Sequence, residues 1–110
     1  MMFPLTTKLA GVQFGACQDN IKKYAGPGVG DFELVREPDN PYDKNAIKVA
    51  LFGHFEFGYI PASVAKEMAP LMDSGRHFVA EYKARNQHPK HDVIGLTVNI
   101  KEEVNLEVIK

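Results

Sequence analysis

The chain has 110 residues and a formal net charge of −1, and 45% of its residues are hydrophobic. This length and composition predict one domain over residues 1–110, with an apolar core large enough to fold without a metal. The single cysteine, Cys17, excludes an internal disulfide and a cysteine-rich zinc site. Because the net charge is close to zero, any affinity for nucleic acid has to come from a local basic surface.

No apolar run approaches the roughly 20 residues that a membrane helix needs. The first residues, Met1–Leu5, lack the basic segment and the long apolar segment of a signal peptide. A lone cysteine is also compatible with a reducing compartment. We therefore expect a cytoplasmic protein without membrane association, whereas the sequence does not indicate an oligomeric state.

The first predicted element is a strand over Thr6–Phe14, and Gly11 inside it indicates a bulge or bend. One short helical turn follows at 19–24, where Asp19 has a side chain suited to cap the helix N-terminus. The glycine-rich segment 26–30 then predicts a loop.

Alternating apolar residues predict strands at 31–36, 46–51 and 55–60. Gly53-His54 predicts the hairpin turn between the last two of these strands. Pro61 suits the first position of a helix, and Pro70 predicts that this helix is split or kinked. Gly75 is a suitable C-terminal cap.

Two further alternating segments, 78–82 and 94–100, predict strands joined by a polar, basic hairpin tip at 83–91. The tail at 104–108 would add an edge strand. Six short strands and one interrupted helical segment predict a mainly β (α+β) fold: a small antiparallel six-stranded barrel with one or two short helices. An oligonucleotide-binding (OB-like) barrel is the leading option, and periodicity alone does not separate it from an SH3-like barrel.

The most distinctive segment is Arg36–Val49. Two prolines, Pro38 and Pro41, stiffen its backbone. Within five residues it carries an amide, a phenol, a carboxylate and an ammonium group, on Asn40, Tyr42, Asp43 and Lys44. Such a segment is typical of a rigid polar binding corner, and it is equally compatible with a turn that these side chains cap through their own backbone.

Metal and catalytic motifs are not indicated. His88 and His91 have no third ligand at a suitable spacing. The segment starting at Asp39 resembles a calcium loop but has Lys44 in place of the required glycine and Ala50 at the twelfth position. Phosphate-cradling and nucleophile motifs are also missing from the sequence. We therefore expect no cofactor, no metal and no enzymatic activity.

The stretch Leu34–Val49 resembles the signature of the HIRAN domain family, and Gly58–Pro61 and Ala69–Gly75 resemble its flanking motifs. The resemblance covers about residues 5–101 and leaves a tail at 102–110. It implies a modified OB-like barrel that captures the 3′ end of single-stranded DNA through its free hydroxyl. It also implies a role in DNA repair or replication, with a helicase or nuclease as a possible partner protein.

By position, the resemblance implies that Asn40, Tyr42 and Asp43 hold the terminal nucleotides of the strand. It also implies that Phe14 stacks on a base. Gln13 and Ala62 stand where DNA-binding members carry basic residues, and Tyr59 stands where they carry a histidine. The candidate DNA-binding residues are Gln13, Phe14, Asn40, Tyr42, Asp43, Lys44, Lys48, Tyr59, Lys83 and Arg85. The lysines and the arginine are the candidate phosphate contacts.

The sequence leaves two functions other than DNA binding open. Gln13, Ala62 and the net charge favour a protein-interaction barrel whose DNA-binding face has decayed. A weak nuclease or nuclease accessory would need Asp39, Asp43 and Asp92 to meet around a divalent metal. The positions of the basic residues distinguish the first alternative, because a DNA-binding face would require them to surround the Asn40–Asp43 corner.

Overall fold

The computed structural model describes residues 1–87 and 89–103. In chain order its elements are β1 (Leu5–Lys8), α1 (Cys17–Tyr24), β2 (Phe32–Arg36), β3 (Ile47–Leu51), β4 (Phe55–Tyr59), α2 (Ala62–Asp73), β5 (His77–Gln87) and β6 (Ile94–Glu103). All strand pairs are antiparallel, and the strand order in the sheet is β1-β6-β5-β2-β3-β4. No helix in these two ranges is long and apolar enough to cross a membrane.

The sheet curls until its two outer strands meet. Ala10, just after β1, forms an isolated antiparallel bridge with Tyr59 at the end of β4, and both N–O distances are 2.8 Å. The bridge requires Gly58, because a Cβ at that position would lie 2.7 Å from the carbonyl oxygen of Ala10. The bridge satisfies backbone groups that an open edge would expose. The predicted six-stranded, antiparallel OB-like architecture is confirmed.

The core lies inside the curled sheet, and β6 shows most clearly how a strand buries one face. Four alternating residues of β6 are fully or almost fully buried: Ile94, Leu96, Val98 and Ile100. The rings of Phe32 and Phe57 meet edge to face at 4.9 Å, and neither is exposed to solvent. Each such side chain stabilises the fold by about 1.5–3 kcal/mol.

The helices cover the core through Ile21 of α1 and Met68 of α2, both of which are fully buried. α1 is also fixed to β4, since Asn20 donates a 2.8 Å side-chain hydrogen bond to the carbonyl oxygen of Glu56. The helix begins at Cys17 and its N-cap residue is Ala16. Asp19 therefore is not the cap as predicted. It lies in the first turn, where its negative charge interacts favourably with the positive end of the helix dipole.

The helix after Pro61 is continuous over Ala62–Asp73, so of the two predicted effects of Pro70, a split or a kink, the split is wrong. Pro70 lies in the last turn, where its missing N–H costs one helical hydrogen bond, and its own carbonyl still accepts from the N–H of Ser74 at 3.1 Å. The adjacent Met68 and Ala69 are buried, which holds the helix against the barrel.

Three boundaries differ from the prediction. β1 ends at Lys8 rather than near Phe14, because Gly11 has a φ of +66° and the chain turns there. β5 continues to Gln87 through a register shift between Tyr82 and Ala84, into the segment that was predicted as a hairpin tip. The β3–β4 turn is centred on Phe52 and Gly53, one residue earlier than predicted.

His88 and the predicted edge strand at 104–108 lie outside the described residues.

Candidate nucleic-acid interface

A groove of about 650 Å³ opens beside the point where the end of β1 meets β4. It is lined by Ala10, Gly11, Phe14, Asn40, Pro41, Tyr42, Asp43, Ala46, Tyr59, Ile60 and Ala62. The groove therefore brings together five of the predicted site residues, Phe14, Asn40, Tyr42, Asp43 and Tyr59, from three separate parts of the chain.

Two aromatic side chains of the groove are unusually exposed. Phe14 is 67% exposed and Tyr42 is 96% exposed. Neither ring is part of the core, so burial does not explain its place in the structure. Exposed aromatic rings in one concave surface are typical of a binding site, because a ligand that covers them recovers hydrophobic and stacking free energy.

Gly11 separates Phe14 from Tyr59. Its φ is +66°, and a Cβ at that position would lie 3.7 Å from a ring carbon of each of these two residues. The glycine therefore supplies both the left-handed turn and a shallow surface between the rings. Any larger residue would be strained there and would narrow the groove.

The loop that carries Tyr42 is shaped by Asn40. The side-chain oxygen of Asn40 accepts hydrogen bonds from the N–H groups of Tyr42 at 2.9 Å and Asp43 at 3.1 Å. Its amide group donates to Oε1 of Glu37 at 3.1 Å. Asn40 thus fixes the turn, as the structural interpretation of this motif expects. A second amide hydrogen remains for a ligand.

Asp43 is half-buried and lines the groove. Its Oδ1 accepts a 2.8 Å hydrogen bond from the N–H of Asn45, which fixes the orientation of the carboxylate. The side chain therefore presents an oriented acceptor at the groove beside Tyr42.

Arg36 connects the loop that carries Tyr42 to α2 by hydrogen bonds, a role that sequence reasoning missed. Its guanidinium donates to both carboxylate oxygens of Asp73, at 2.9 and 3.1 Å. It also donates to the carbonyl oxygens of Lys44 at 3.1 Å and Ala46 at 2.9 Å. The hydrogen bond from Arg36 lowers the pKa of Asp73 and raises the pKa of Arg36 itself. Both residues lie in the stretches that carry the family resemblance, but no local pattern indicates that they pair.

Glu37 is a second residue that sequence reasoning missed. Its carboxylate contacts Asn40, Tyr59 and Lys48, which were all predicted as DNA contacts. Partial burial opposes its ionisation, but the hydrogen bonds from Tyr59 and Asn40 and the charge of Lys48 lower the pKa of Glu37. Lys48 lies 3.6 Å from this carboxylate, so its charge is partly neutralised within the site.

The predicted basic contacts are not among the residues that line the groove. Lys83 and Arg85 lie on β5 and do not line it, and the exposed Gln13 and Lys44 are also outside its lining. Arg85 lines a second concavity instead. The groove lining itself therefore carries no basic side chain.

Within residues 1–87 and 89–103, no group of three histidine, cysteine or carboxylate side chains could hold a metal ion. Asp39, Asp43 and Asp92 thus do not form the cluster that a weak nuclease would need. Cys17 is buried, and burial followed by the charge of Glu56 raises the pKa of its thiol to about 11. The thiolate is strongly disfavoured at neutral pH.

Comparison with known proteins identifies the fold. A protein from Lactobacillus plantarum superposes with a TM-score of 0.61 and 25% sequence identity, covering 87% of this chain and 91% of that chain. The HIRAN domain of human HLTF superposes with a TM-score of 0.58 and 21% identity, covering 87% and 73% respectively. The second similarity establishes the shared fold alone.

Sequence relatives are much longer proteins. The chain is 38% identical over 73 residues to a helicase-like transcription factor of Oryctolagus cuniculus. The aligned region covers 61% of this chain and 7% of that protein. It is also 36% identical over 77 residues to a Fanconi-associated nuclease 1 homolog of Oryza sativa subsp. japonica. That aligned region covers 66% of this chain and 7% of that protein. The sequence profile of the HIRAN domain matches residues 5–108. The chain therefore belongs to the HIRAN domain family.

Proposed function

We propose that this HIRAN domain is a non-catalytic DNA-binding module whose groove receives the 3′ end of a single strand. The observation that carries the proposal is the pairing of two exposed aromatic rings, Phe14 and Tyr42, with the carboxylate of Asp43 in one groove. The helicase-like and nuclease relatives support DNA as the ligand class. On the same basis, we propose a link to DNA repair or replication and a helicase or nuclease as partner.

The chemistry of the groove suits a strand end. Phe14 and Tyr42 can each stack on a base, which contributes about 1–3 kcal/mol per base and does not depend on sequence. Asp43 can accept a hydrogen bond from a terminal 3′-hydroxyl and would repel a terminal phosphate. The groove lining contains no histidine, cysteine, serine or lysine, which supports binding rather than catalysis.

The first turn of α2 offers an environment for phosphate that the side chains lack. Ala62 lines the groove and begins α2, whose N-terminus has no side-chain cap and no acidic residue in its first turn. The positive end of the helix dipole favours negative charge there. Backbone N–H groups would thus supplement a position that lacks a basic side chain.

A protein-interaction barrel is the second candidate function. The ion pair between Lys48 and Glu37 and the absence of Lys83 and Arg85 from the groove lining favour it. Under this alternative, the exposed rings of Phe14 and Tyr42 would bind an apolar peptide side chain.

Fluorescence anisotropy of short single strands at low salt tests the proposal. We expect saturable binding that is tighter for a 3′-hydroxyl than for a 3′-phosphate. Tyr42→Ala should weaken binding roughly 5- to 150-fold, the equivalent of one stacked base. Asp43→Asn keeps an acceptor for the Asn45 N–H and should remove the preference for the hydroxyl.

Phe52→Ala is the matched control, because Phe52 is also a large exposed aromatic residue, at 77%, but lies outside the groove lining. It should leave DNA affinity unchanged. Equal, weak binding of both ends that does not respond to Tyr42→Ala would indicate a generic surface. The absence of saturable binding would favour the protein-interaction barrel.

A further inference from the structure

Glu37 lies beside the groove without lining it, and its side chain is only 26% exposed. Its backbone is fixed where β2 leads into the loop at 37–46. The N–H of Glu37 donates to the carbonyl oxygen of Ala46 at 3.0 Å, and its own carbonyl oxygen accepts from the N–H of Asn40 at 3.0 Å. The carboxylate is therefore attached to a backbone position that the fold holds in place.

One oxygen of this carboxylate joins the two sides of the groove. Oε1 accepts a 3.1 Å hydrogen bond from the side-chain amide of Asn40, which lies in the loop. It also accepts a 2.7 Å hydrogen bond from the hydroxyl of Tyr59, at the end of β4. Asn40 and Tyr59 both line the groove. The two hydrogen bonds therefore tie the side that carries Tyr42 to the side formed by β4.

The same contact determines which way the Asn40 amide points. Because Glu37 holds its NH2 group, the side-chain oxygen of Asn40 faces the loop backbone. There it accepts hydrogen bonds from the N–H groups of Tyr42 and Asp43, at 2.9 and 3.1 Å. An ionised carboxylate only accepts hydrogen bonds, so the reverse orientation of the amide would place two oxygens against each other. Although burial opposes ionisation, hydrogen bonds hold the pKa of Glu37 below its ordinary value, and the charge is present at neutral pH.

We propose that Glu37 is a positioning residue for capture of the strand end. It does not line the groove, but its carboxylate holds Asn40, and Asn40 in turn fixes Tyr42 and Asp43 in the geometry that receives the terminal nucleotides. This inference rests on the proposed function and deepens it, because it names the group on which the arrangement of the groove depends.

Positioning and simple electrostatics predict opposite effects of removing this charge. A carboxylate near the binding site of a polyanion repels the ligand, and Glu37 also lies 3.6 Å from the ammonium group of Lys48. On charge alone, loss of the carboxylate should tighten DNA binding. If the carboxylate positions the loop, its loss should weaken binding.

Glu37→Gln tests the two alternatives with a side chain of nearly the same shape. The oxygen of the new amide can face either Lys48 or the pair of donors on Asn40 and Tyr59, and its NH2 group then faces a donor in both cases. At least one of the three contacts is therefore lost. Tyr59→Phe is the companion variant, since it keeps the ring in the groove and removes only the hydroxyl.

Fluorescence anisotropy at low salt, on variants shown by circular dichroism to be folded at the assay temperature, measures the effect. Glu37→Gln should weaken binding of a single strand with a 3′-hydroxyl about tenfold, and binding of the 3′-phosphate strand should not become tighter. Tyr59→Phe should weaken binding of the hydroxyl-ended strand about threefold. The double variant should bind no more weakly than Glu37→Gln alone, because both substitutions act on the same carboxylate.

Glu33→Gln is the matched control. It also removes a carboxylate that accepts a hydrogen bond, at 2.6 Å from the N–H of Gly53, but Glu33 lies outside the groove lining. It should not weaken DNA binding. Amide hydrogen exchange of Tyr42 and Asp43 in the free protein should be faster in Glu37→Gln and unchanged in Glu33→Gln.

Unchanged or tighter binding of the hydroxyl-ended strand by Glu37→Gln would overturn the inference. Additive losses from Glu37→Gln and Tyr59→Phe would also overturn it, as would an equal loss in Glu33→Gln. Failure of the proposed function is distinguishable, because the wild-type protein would then lack end-selective binding while the exchange of Tyr42 and Asp43 still responded to Glu37→Gln.

Discussion

The phenolic oxygen of Tyr59 donates a 2.7 Å hydrogen bond to Oε1 of Glu37. Tyr59 ends β4 and Glu37 follows β2, so the bond spans β3, the strand that lies between them in the sheet. Burial and then the hydrogen bond to Glu37 raise the pKa of Tyr59 to about 12. The phenol is therefore a fixed donor at neutral pH. Its ring forms part of the groove while its hydroxyl is already used.

Glu37→Gln should lower the free energy of unfolding at neutral pH by about 1–2 kcal/mol, because hydrogen bonds to a charged group are lost. The pKa of Glu37 is lower in the folded state than its ordinary value of 4.5. A depressed pKa contributes stability above 4.5 that is lost as the pH falls through the folded value. Urea unfolding at decreasing pH should therefore show the difference from wild type shrinking below pH 4.5.

Glu67→Gln is the control for this prediction, since Glu67 is an exposed carboxylate on α2. Its stability should follow the wild-type protein at every pH. If the deficit of Glu37→Gln stayed constant into the acidic range, the carboxylate charge would not be the source of the stabilisation.

The sequence predicted the central strands closely. β2, β3 and β4 were expected at 31–36, 46–51 and 55–60, and they begin and end within one residue of those limits. Ile47 and Val49 of β3 and Phe57 of β4 are fully buried, so the core enforces these apolar positions of the pattern. The continuity of α2 was not predictable from local pattern, because burial on the barrel offsets the hydrogen bond that Pro70 removes.

The groove was predictable only in part. The family resemblance indicated Phe14, Tyr42 and Asp43, and the structure brings them together. It did not indicate Glu37 or Arg36, because their partners lie 22 and 37 residues away in the chain. Contacts of that kind depend on the curl of the sheet and the docking of α2, which are tertiary features.

Arg36→Lys should destabilise the protein by about 1–3 kcal/mol and increase amide hydrogen exchange in the loop at 37–46. Lysine keeps the charge but cannot reach Asp73 and the carbonyl oxygens of Lys44 and Ala46 at once. Chemical denaturation and hydrogen exchange measure the two effects. Because this loop carries Tyr42, DNA affinity should fall in the same variant.

Arg76→Lys is a matched control for Arg36→Lys. Arg76 forms a similar bidentate pair with the carboxylate of Glu102, with both distances at 2.7 Å. The side chain of Arg76 is, however, 44% exposed. An ion pair at such an exposed position contributes little to stability, because water and salt screen it. Equal effects of the two substitutions would show that the loop contacts of Arg36 do not contribute.

Gly58→Ala should destabilise the barrel by about 3 kcal/mol or more. Gly58 has a φ of +149°, and an added Cβ would lie 2.7 Å from the carbonyl oxygen of Ala10. The bridge between Ala10 and Tyr59 would have to open, which also distorts the groove. Gly30→Ala, where nothing lies within 4 Å of the added Cβ, should change stability by less than about 1 kcal/mol. Similar losses in both variants, measured by urea unfolding, would contradict this account.

Phe52→Asn should stabilise the protein by about 0.5–1 kcal/mol. Phe52 has a φ of +52° in the β3–β4 turn, where a bulky residue is strained, and the next residue is Gly53 at +78°. Asparagine followed by glycine is the preferred pair for a turn with two positive φ angles. Little burial is lost, because Phe52 is 77% exposed and meets the ring of Phe55 only edge-on at 6.4 Å.

Thermal unfolding checks this effect, with an expected rise of several degrees in Tm for a domain of this size. Phe52→Ala is the informative comparison, since it removes the same ring contact but does not share the tolerance of asparagine for positive φ. Its Tm should therefore lie below that of Phe52→Asn. If the two variants unfolded at the same temperature, or Phe52→Asn unfolded first, relief of backbone strain at this turn would not be the cause of any stabilisation.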